Sequence, residues 1–198
     1  GSYGRSLTRM IADTTRGPKP DLSAIIAAMD IMVWPPGTLA WNTKRVPCAI
    51  GRGGISAAKK EGDGATPSGF FPLRRVHYRP DRLAAPATGL AVRALRPEDG
   101  WCDDPADDAY NRLVTRPFNA SLEILWRQDR VYDLIIELGH NDNPVKRGLG
   151  SAIFVHVATP DFSPTEGCIA LALEDLLDLL RNCSEGAKLS VSPAPPPD

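Results

Sequence analysis

Seventeen glycines and nineteen prolines interrupt this 198-residue chain so often that its longest clear helical period is confined to one run near the C-terminus. Proline lacks the amide donor that a helix or a central strand needs, and glycine gives up more backbone entropy than any other residue. In the surviving run Leu173, Leu176, Leu177 and Leu180 fall at i, i+3, i+4 and i+7, while Glu174 and Asp175 occupy the first turn, where the helix dipole favours anions. Elsewhere the apolar residues come in short stretches bounded by Gly, Asn or Pro, and the four Trp and four Tyr are scattered. This pattern suits strands and loops, so the expected class is mainly β with a few helices (α+β), in a single domain.

Hydrophobic residues at 42% and charged residues at 24% supply one sizeable core, with no internal repeat and no sign of a second. Basic and acidic residues nearly cancel, 23 against 24, leaving no general basic field for a polyanion, so nucleic acid is excluded as a partner. No stretch approaches 18 consecutive apolar residues, which argues against a transmembrane segment. The chain opens Gly1-Ser2 without a Met, a start that reads as a remnant of cloning, and the expectation is that an export signal has been removed ahead of it. Cysteines 48, 102, 168 and 183 are too few for a disulfide framework and lack the close pairs of a zinc ribbon. Cys48 and Cys183 read as small buried hydrophobes.

Residues 1–20 read as a tail, 21–192 as the folded domain and 193–198 as a Pro-rich tail. Asp21–Met29 is expected to form a short helix, and residues 30–50 a strand meander with a turn at Pro35-Pro36-Gly37. Residues 51–69, with six glycines, are expected to form a long surface loop, and residues 97–116 a second. Between them, Phe70–Arg75 and Gly89–Leu95 alternate as strands. Asn119 is placed to cap a short helix through Trp126, and Val131–Leu138, Ser151–Ala158 and Lys188–Val191 read as strands.

The chemistry concentrates where the strand ending in His156 leads through Pro160 and Pro164 to Thr165-Glu166-Gly167-Cys168-Ile169, just before the Leu-rich helix. A thiol is an effective nucleophile as thiolate, and a nearby imidazole and backbone amides favour that form. Gly167 lets the chain turn tightly, so the amides of 167 and 168 can converge on an oxyanion. The competing reading makes Cys168 a core thiol and His156 a satisfied strand histidine. Their separation alone does not choose, because catalytic Cys and His need only meet in space.

His156, eleven intervening residues and Thr165-Glu166-Gly167-Cys168-Ile169, preceded by Gly51-Arg-Gly-Gly and Gly62-Asp-Gly-Ala-Thr-Pro-Ser-Gly-Phe-Phe-Pro-Leu, resemble the signature of the L,D-transpeptidase (YkuD) catalytic domain of bacterial peptidoglycan enzymes. The resemblance runs from about Asp30 to Val191. It implies a β-rich catalytic domain with Cys168 as nucleophile and His156 as its base, the Val157 carbonyl orienting the ring, and no metal or other cofactor. It further implies a substrate of peptidoglycan stem peptides, with 3-3 or 1-3 cross-links formed through a cysteine thioester, acylation by β-lactams of the carbapenem type, and a periplasmic or other extracytoplasmic location. Two rivals stay open: an L,D-carboxypeptidase or amidase using the same Cys/His pair with water, and a wall-binding module without activity.

The sequence departs from the family at two positions, with Glu166 where many relatives have His and Ala170 where several carry Arg, and its His-to-Cys loop is shorter than in typical members. The lost guanidinium implies that the peptide is held differently. Thr165 and Glu166 flank the thiol, and His140 and Asn141 follow a strand and are candidates for the same site. Trp101 with Asp103, Asp104, Tyr110 and Asn111 is a candidate wall for a stem peptide, or a structural loop anchored by Trp101. Arg74, Arg75, Arg79 and Arg82 read more simply as a solvated face. A zinc site from His140, Asp142, His156 and Cys168 matches no known ligand spacing.

Overall fold

The computed structural model of the protein describes residues 29–198. The expected N-terminal tail and the helix over Asp21–Met29 lie outside these residues, Met29 apart. Fourteen strands and one helix follow: β1 Asp30–Trp34, β2 Thr38–Trp41, β3 Lys44–Pro47, β4 Ile55–Ser56, β5 Thr66–Pro67, β6 Gly69–Tyr78, β7 Val92–Ala94, β8 Asp99–Cys102, β9 Leu113–Thr115, β10 Leu122–Ile124, β11 Leu134–Leu138, β12 Phe154–Val157, β13 Ile169–Leu171, α1 Leu173–Asn182 and β14 Lys188–Val191. The described chain is mostly β, as its punctuation by Gly and Pro requires.

The main sheet runs β13-β12-β11-β6-β14-β1-β2-β3, with β7 beside β6. It nearly closes on itself. Just beyond β3, Ala49 and Ala170 of β13 exchange both hydrogen bonds, at 2.8 and 3.0 Å, joining one end of the order to the other. A bulge between β6 and β11, where Glu137 pairs with Arg75 but Leu138 with Leu73, leaves Arg74 unpaired. The inward face of β6 therefore shifts from Phe71 and Leu73 to Val76.

Both faces of the central strands are covered, which is why β11 and β12 are apolar on both sides apart from Glu137 and His156. On one face Leu134, Ile136, Val155, Val157, Ile169 and Leu171 pack with Leu176, Leu179 and Leu180 of α1. On the other, Ile135, Phe154 and Cys168 pack with Trp101, Leu125 and Tyr132. This second layer comes from the small antiparallel sheet β10-β8-β9 and the segments beside it. The period of 2 assigns His156 to the side of Phe154, away from Val155 and Val157.

Three local expectations are corrected. Residues 119–126 hold strand β10, not a helix: Leu122, Glu123 and Ile124 pair with Cys102, Trp101 and Gly100, and tertiary pairing overrides local helical preference. The segment 97–116 is not one loop, since it supplies β8 and β9. The Gly-rich stretch 51–69 contains the short parallel pair β4 and β5. In addition, strand β13 stands between Cys168 and α1, so the thiol does not sit at the helix N-terminus.

Candidate active site

Gly167 has φ +142°, and a Cβ added there would lie 2.8 Å from the Ala65 carbonyl oxygen, so this turn accepts glycine alone. The Thr165 hydroxyl braces the turn from inside, accepting from the Gly167 amide at 3.1 Å and donating to the Cys168 carbonyl at 2.6 Å. The Thr165 main chain is in turn held by Ile50 and Arg52. Thr66, fully buried, accepts from the Gly51 amide at 2.8 Å. The Gly-rich stretch and the Thr-Pro-Ser-Gly stretch are thus the mould around the cysteine turn.

Parallel pairing of β12 with β13 sets Val155 beside Ile169 and His156 beside Ala170. Cys168 therefore falls level with Phe154, whose amide donates to Sγ at 3.4 Å. Cys168 and His156 share one face of neighbouring strands, two residues out of step. At ideal strand spacing that offset places their Cα atoms roughly 8 Å apart, within joint reach of a thiol and an imidazole.

His156 Nδ1 lies 2.9 Å from the Val157 carbonyl oxygen. A carbonyl only accepts, so Nδ1 carries the proton and Nε2 is left as the basic nitrogen. Burial pushes the ring down to about 4, with the Val157 bond acting the other way. The Cys168 thiol donates to the Ala152 carbonyl at 3.1 Å. Burial pushes it up to about 12 and the Glu123 charge adds to this, while the Phe154 amide, Lys59 and the Tyr132 hydroxyl act against both. The resting pair is a neutral thiol and a neutral imidazole.

Both side chains open on a cleft of about 480 Å³. Thr165, Glu166 and Ala170 line it with them. Glu166 is exposed and paired with Arg52 at 3.0 Å. The remaining sequence candidates stand behind the walls. Trp101 is buried edge-on against Phe154 and donates through Nε1 to Asn111 at 2.9 Å. Tyr110 donates to Glu61 at 2.6 Å and accepts from the Gly150 amide. His140 lies edge-on to Phe71 with Nε2 3.1 Å from the Leu149 carbonyl, and Asn141 ties its own turn to Lys146 and Gly150. The four arginines are paired structurally, Arg74 with Asp142, Arg75 with Glu137, Arg79 with Asp81 and Arg82 with Asp133. Among the described residues no group of three or more His, Cys, Asp or Glu is arranged to hold a metal ion.

The cleft groups that the sequence did not single out include Lys59, Glu61, Glu123, Arg127 and Tyr132. Tyr132 donates to Glu123 and packs edge-on against His156, with ring centroids 5.2 Å apart. The available signal was Glu123 between two apolar residues, Leu122 and Ile124, the period of a strand rather than a helix.

Three solved structures align with the chain at low sequence identity. L,D-transpeptidase 1 from Mycobacterium tuberculosis aligns at 11% identity with a TM-score of 0.40, over 83% of this chain and 59% of that one. L,D-transpeptidase 3 from the same organism, in complex with a faropenem-derived adduct, aligns at 14% and 0.41, over 83% and 60%. The helical cell shape determining protein Pgp2 from Campylobacter jejuni aligns at 15% and 0.43, over 85% and 49%. The chain thus spans between half and three fifths of the length of these proteins. No curated protein matches the sequence significantly. The family model of the L,D-transpeptidase catalytic domain matches residues 25–191. The chain belongs to the YkuD family of L,D-transpeptidase catalytic domains.

Proposed function

We propose that this domain is a peptidoglycan L,D-transpeptidase working through a Cys168 thioester. The observation that carries the reading is the shared face of β12 and β13, which sets the Cys168 thiol and the basic nitrogen of His156 on one cleft. Family membership supports peptidoglycan stem peptides as the substrate class and action outside the cytoplasm. No helix among the described residues is long and apolar enough to cross a membrane. The catalytic unit is taken as residues 21–192.

Because thiol and ring are both neutral at rest, the proton leaves sulfur as sulfur attacks. The thiol turns from the Ala152 carbonyl to His156 Nε2, sulfur bonds to the diaminopimelate carbonyl carbon, and the proton moves to the ring. The C–N bond to D-Ala then breaks, and His156 returns the proton to the leaving amine. An acceptor amine attacks the thioester, loses its proton to His156, and the thiol is restored. The Cys168 amide serves the oxyanion, joined by the Gly167 amide once it releases Thr165, each such donor being worth about 3 kcal/mol. Thr165 and Glu166 line the cleft, while Trp101, Tyr110, His140 and Asn141 serve binding by holding its walls.

Muropeptide product analysis tests the reading. With tetrapeptide monomers as substrate, 3-3 or 1-3 dimers are expected with the wild type and none with Cys168→Ala. Tripeptide monomers alone would mean a carboxypeptidase, and no turnover of any muropeptide together with no carbapenem mass adduct on Cys168 would mean a binding module.

A further inference from the structure

Lys59 lines the cleft, yet only 7% of its side chain is exposed. A lysine is almost never buried unless it is paired, and the Gly-rich stretch supplies the pair within a single turn. Lys59 Nζ lies 2.5 Å from Asp63 Oδ1, four residues on. The same oxygen accepts from the Ala65 amide at 2.9 Å, and Oδ2 accepts from the Lys60 amide at 2.8 Å. Burial works against the Asp63 carboxylate, but the Lys59 bond and the two amides outweigh it and hold it down to about 2. The counter-ion is thus ionised and fixed, and it stands behind Lys59, which borders the cleft while Asp63 does not. Asp63 is the one hydrogen-bond partner of Lys59 Nζ among the described residues, although an ammonium has three donors.

Two contacts hold this cation near the nucleophile. Ala65, whose amide is bound by Asp63, presents the carbonyl oxygen that a Cβ on Gly167 would meet at 2.8 Å, so the turn carrying Lys59 is packed against the turn carrying Cys168. Gly150, at φ +108°, flanks the lysine stem, and a Cβ there would stand 3.1 Å from Lys59 Cγ. The charged and titratable groups acting on Cys168 include Glu123, Lys59 and Tyr132, with His156 on the neighbouring strand. Lys59 is the cation of this set. The cleft's guanidinium, Arg127, acts on His156 instead and is bound to Asp129.

We propose that Lys59 is a further positioning residue for acylation, its ammonium held by Asp63 at the cleft so that negative charge gathering on the Cys168 sulfur is stabilised as the thiol proton leaves for His156. This rests on the Cys168 and His156 chemistry of the transpeptidase reading. The lysine keeps its own protons throughout: the S–H bond breaks, the proton goes to Nε2, and sulfur bonds to the substrate carbon. In a site that strips water from the thiol, a fixed cation counts for far more than it would in solution.

The test uses iodoacetamide, a small neutral electrophile that has no carboxylate and needs no aimed base. The S–C bond forms as iodide leaves, and the rate follows the thiolate at Cys168, read by peptide mass between about pH 7 and 10. Lys59→Met is expected to alkylate at least about fivefold more slowly than the wild type at each pH, while Lys59→Arg, which keeps the charge, stays within about twofold. A purely structural role has the opposite sign, because loosening the turn exposes the thiol and speeds its reaction. Equal or faster alkylation in a Lys59→Met that melts like the wild type overturns the proposal. A loss in Lys59→Arg of more than about fivefold overturns it too, and that variant decides the matter if Lys59→Met does not fold. Unchanged alkylation with slower carbapenem adduct formation would assign the cation to the ligand's carboxylate and likewise overturn it. Absence of muropeptide dimers with the wild type would sink the transpeptidase reading and leave the alkylation comparison standing.

Discussion

Tyr132 stands edge-on to His156, with ring centroids 5.2 Å apart and planes at 79°, while the Val157 carbonyl holds Nδ1 at 2.9 Å. One contact sets the tilt of the imidazole and the other its tautomer. Nε2 is thereby kept as the acceptor for the thiol proton without help from a carboxylate.

The ring support is testable apart from the hydroxyl. Tyr132→Leu should lower kcat by about tenfold or more, because a misaimed base loses part of the general-base contribution, with a smaller change in KM. Tyr132→Phe retains the ring and should keep more of kcat. Steady-state kinetics on both variants check this. Equal losses would assign the effect to the hydroxyl.

Acid stability should report the buried imidazole. His156 is pushed down to about 4 in the fold, against an ordinary value of about 6.5, so between these pH values the unfolded chain binds the proton and the folded one does not. Stability is therefore present above about pH 6.5 and is lost as pH falls towards about 4, by on the order of 3 kcal/mol from this group. Urea denaturation across that window should show a steeper acid limb for the wild type than for His156→Gln.

Gly167→Ala should fail on backbone grounds. Its φ of +142° is foreign to residues with a Cβ, and that Cβ would press on the Ala65 carbonyl oxygen at 2.8 Å, which belongs to main chain and cannot swing aside. A loss of roughly 2 kcal/mol or more is expected, with acylation falling further because Cys168 moves with the turn. Thermal denaturation and carbapenem adduct formation measure the two effects.

The lines of this site that sequence made legible are those that depend on local pattern. Cys168 and His156 stand out because a Thr-Glu-Gly-Cys turn follows a strand that carries a histidine near its end, and α1 because four leucines share a face. Glu123 did not stand out, since Leu122-Glu123-Ile124 becomes a strand only by pairing with Gly100-Trp101-Cys102, a partner that lies outside any local window. Trp101, Tyr110, His140 and Asn141 show a different limit. Their side-chain types suit either a wall or the support behind it, and hydrogen bonds to Asn111, Glu61, Leu149 and Lys146 decide the placement. None of those partners is adjacent in sequence.

Asn111 is where that supporting layer converges, and its replacement should show a pH dependence opposite in sign to that of His156. It adopts φ +57°, which Asn tolerates, and makes four bonds: Oδ1 accepts from Trp101 Nε1 at 2.9 Å and the Ala152 amide at 3.1 Å, and Nδ2 donates to the His140 and Asn141 carbonyls at 3.0 and 2.8 Å. In Asn111→Asp the shape is kept, but two carbonyl oxygens would face a buried carboxylate with no proton between them. Burial and these acceptors should hold the new carboxyl above its unfolded value of about 3.9, so the variant should lose about 3 kcal/mol at neutral pH and regain part of it as pH falls through the folded value. Because Ala152 also accepts the resting Cys168 thiol at 3.1 Å, the same variant should acylate more slowly near pH 7 than its residual folded fraction explains. Denaturation at two pH values, paired with carbapenem labelling, distinguishes this from simple loss of packing, which would show no recovery in acid.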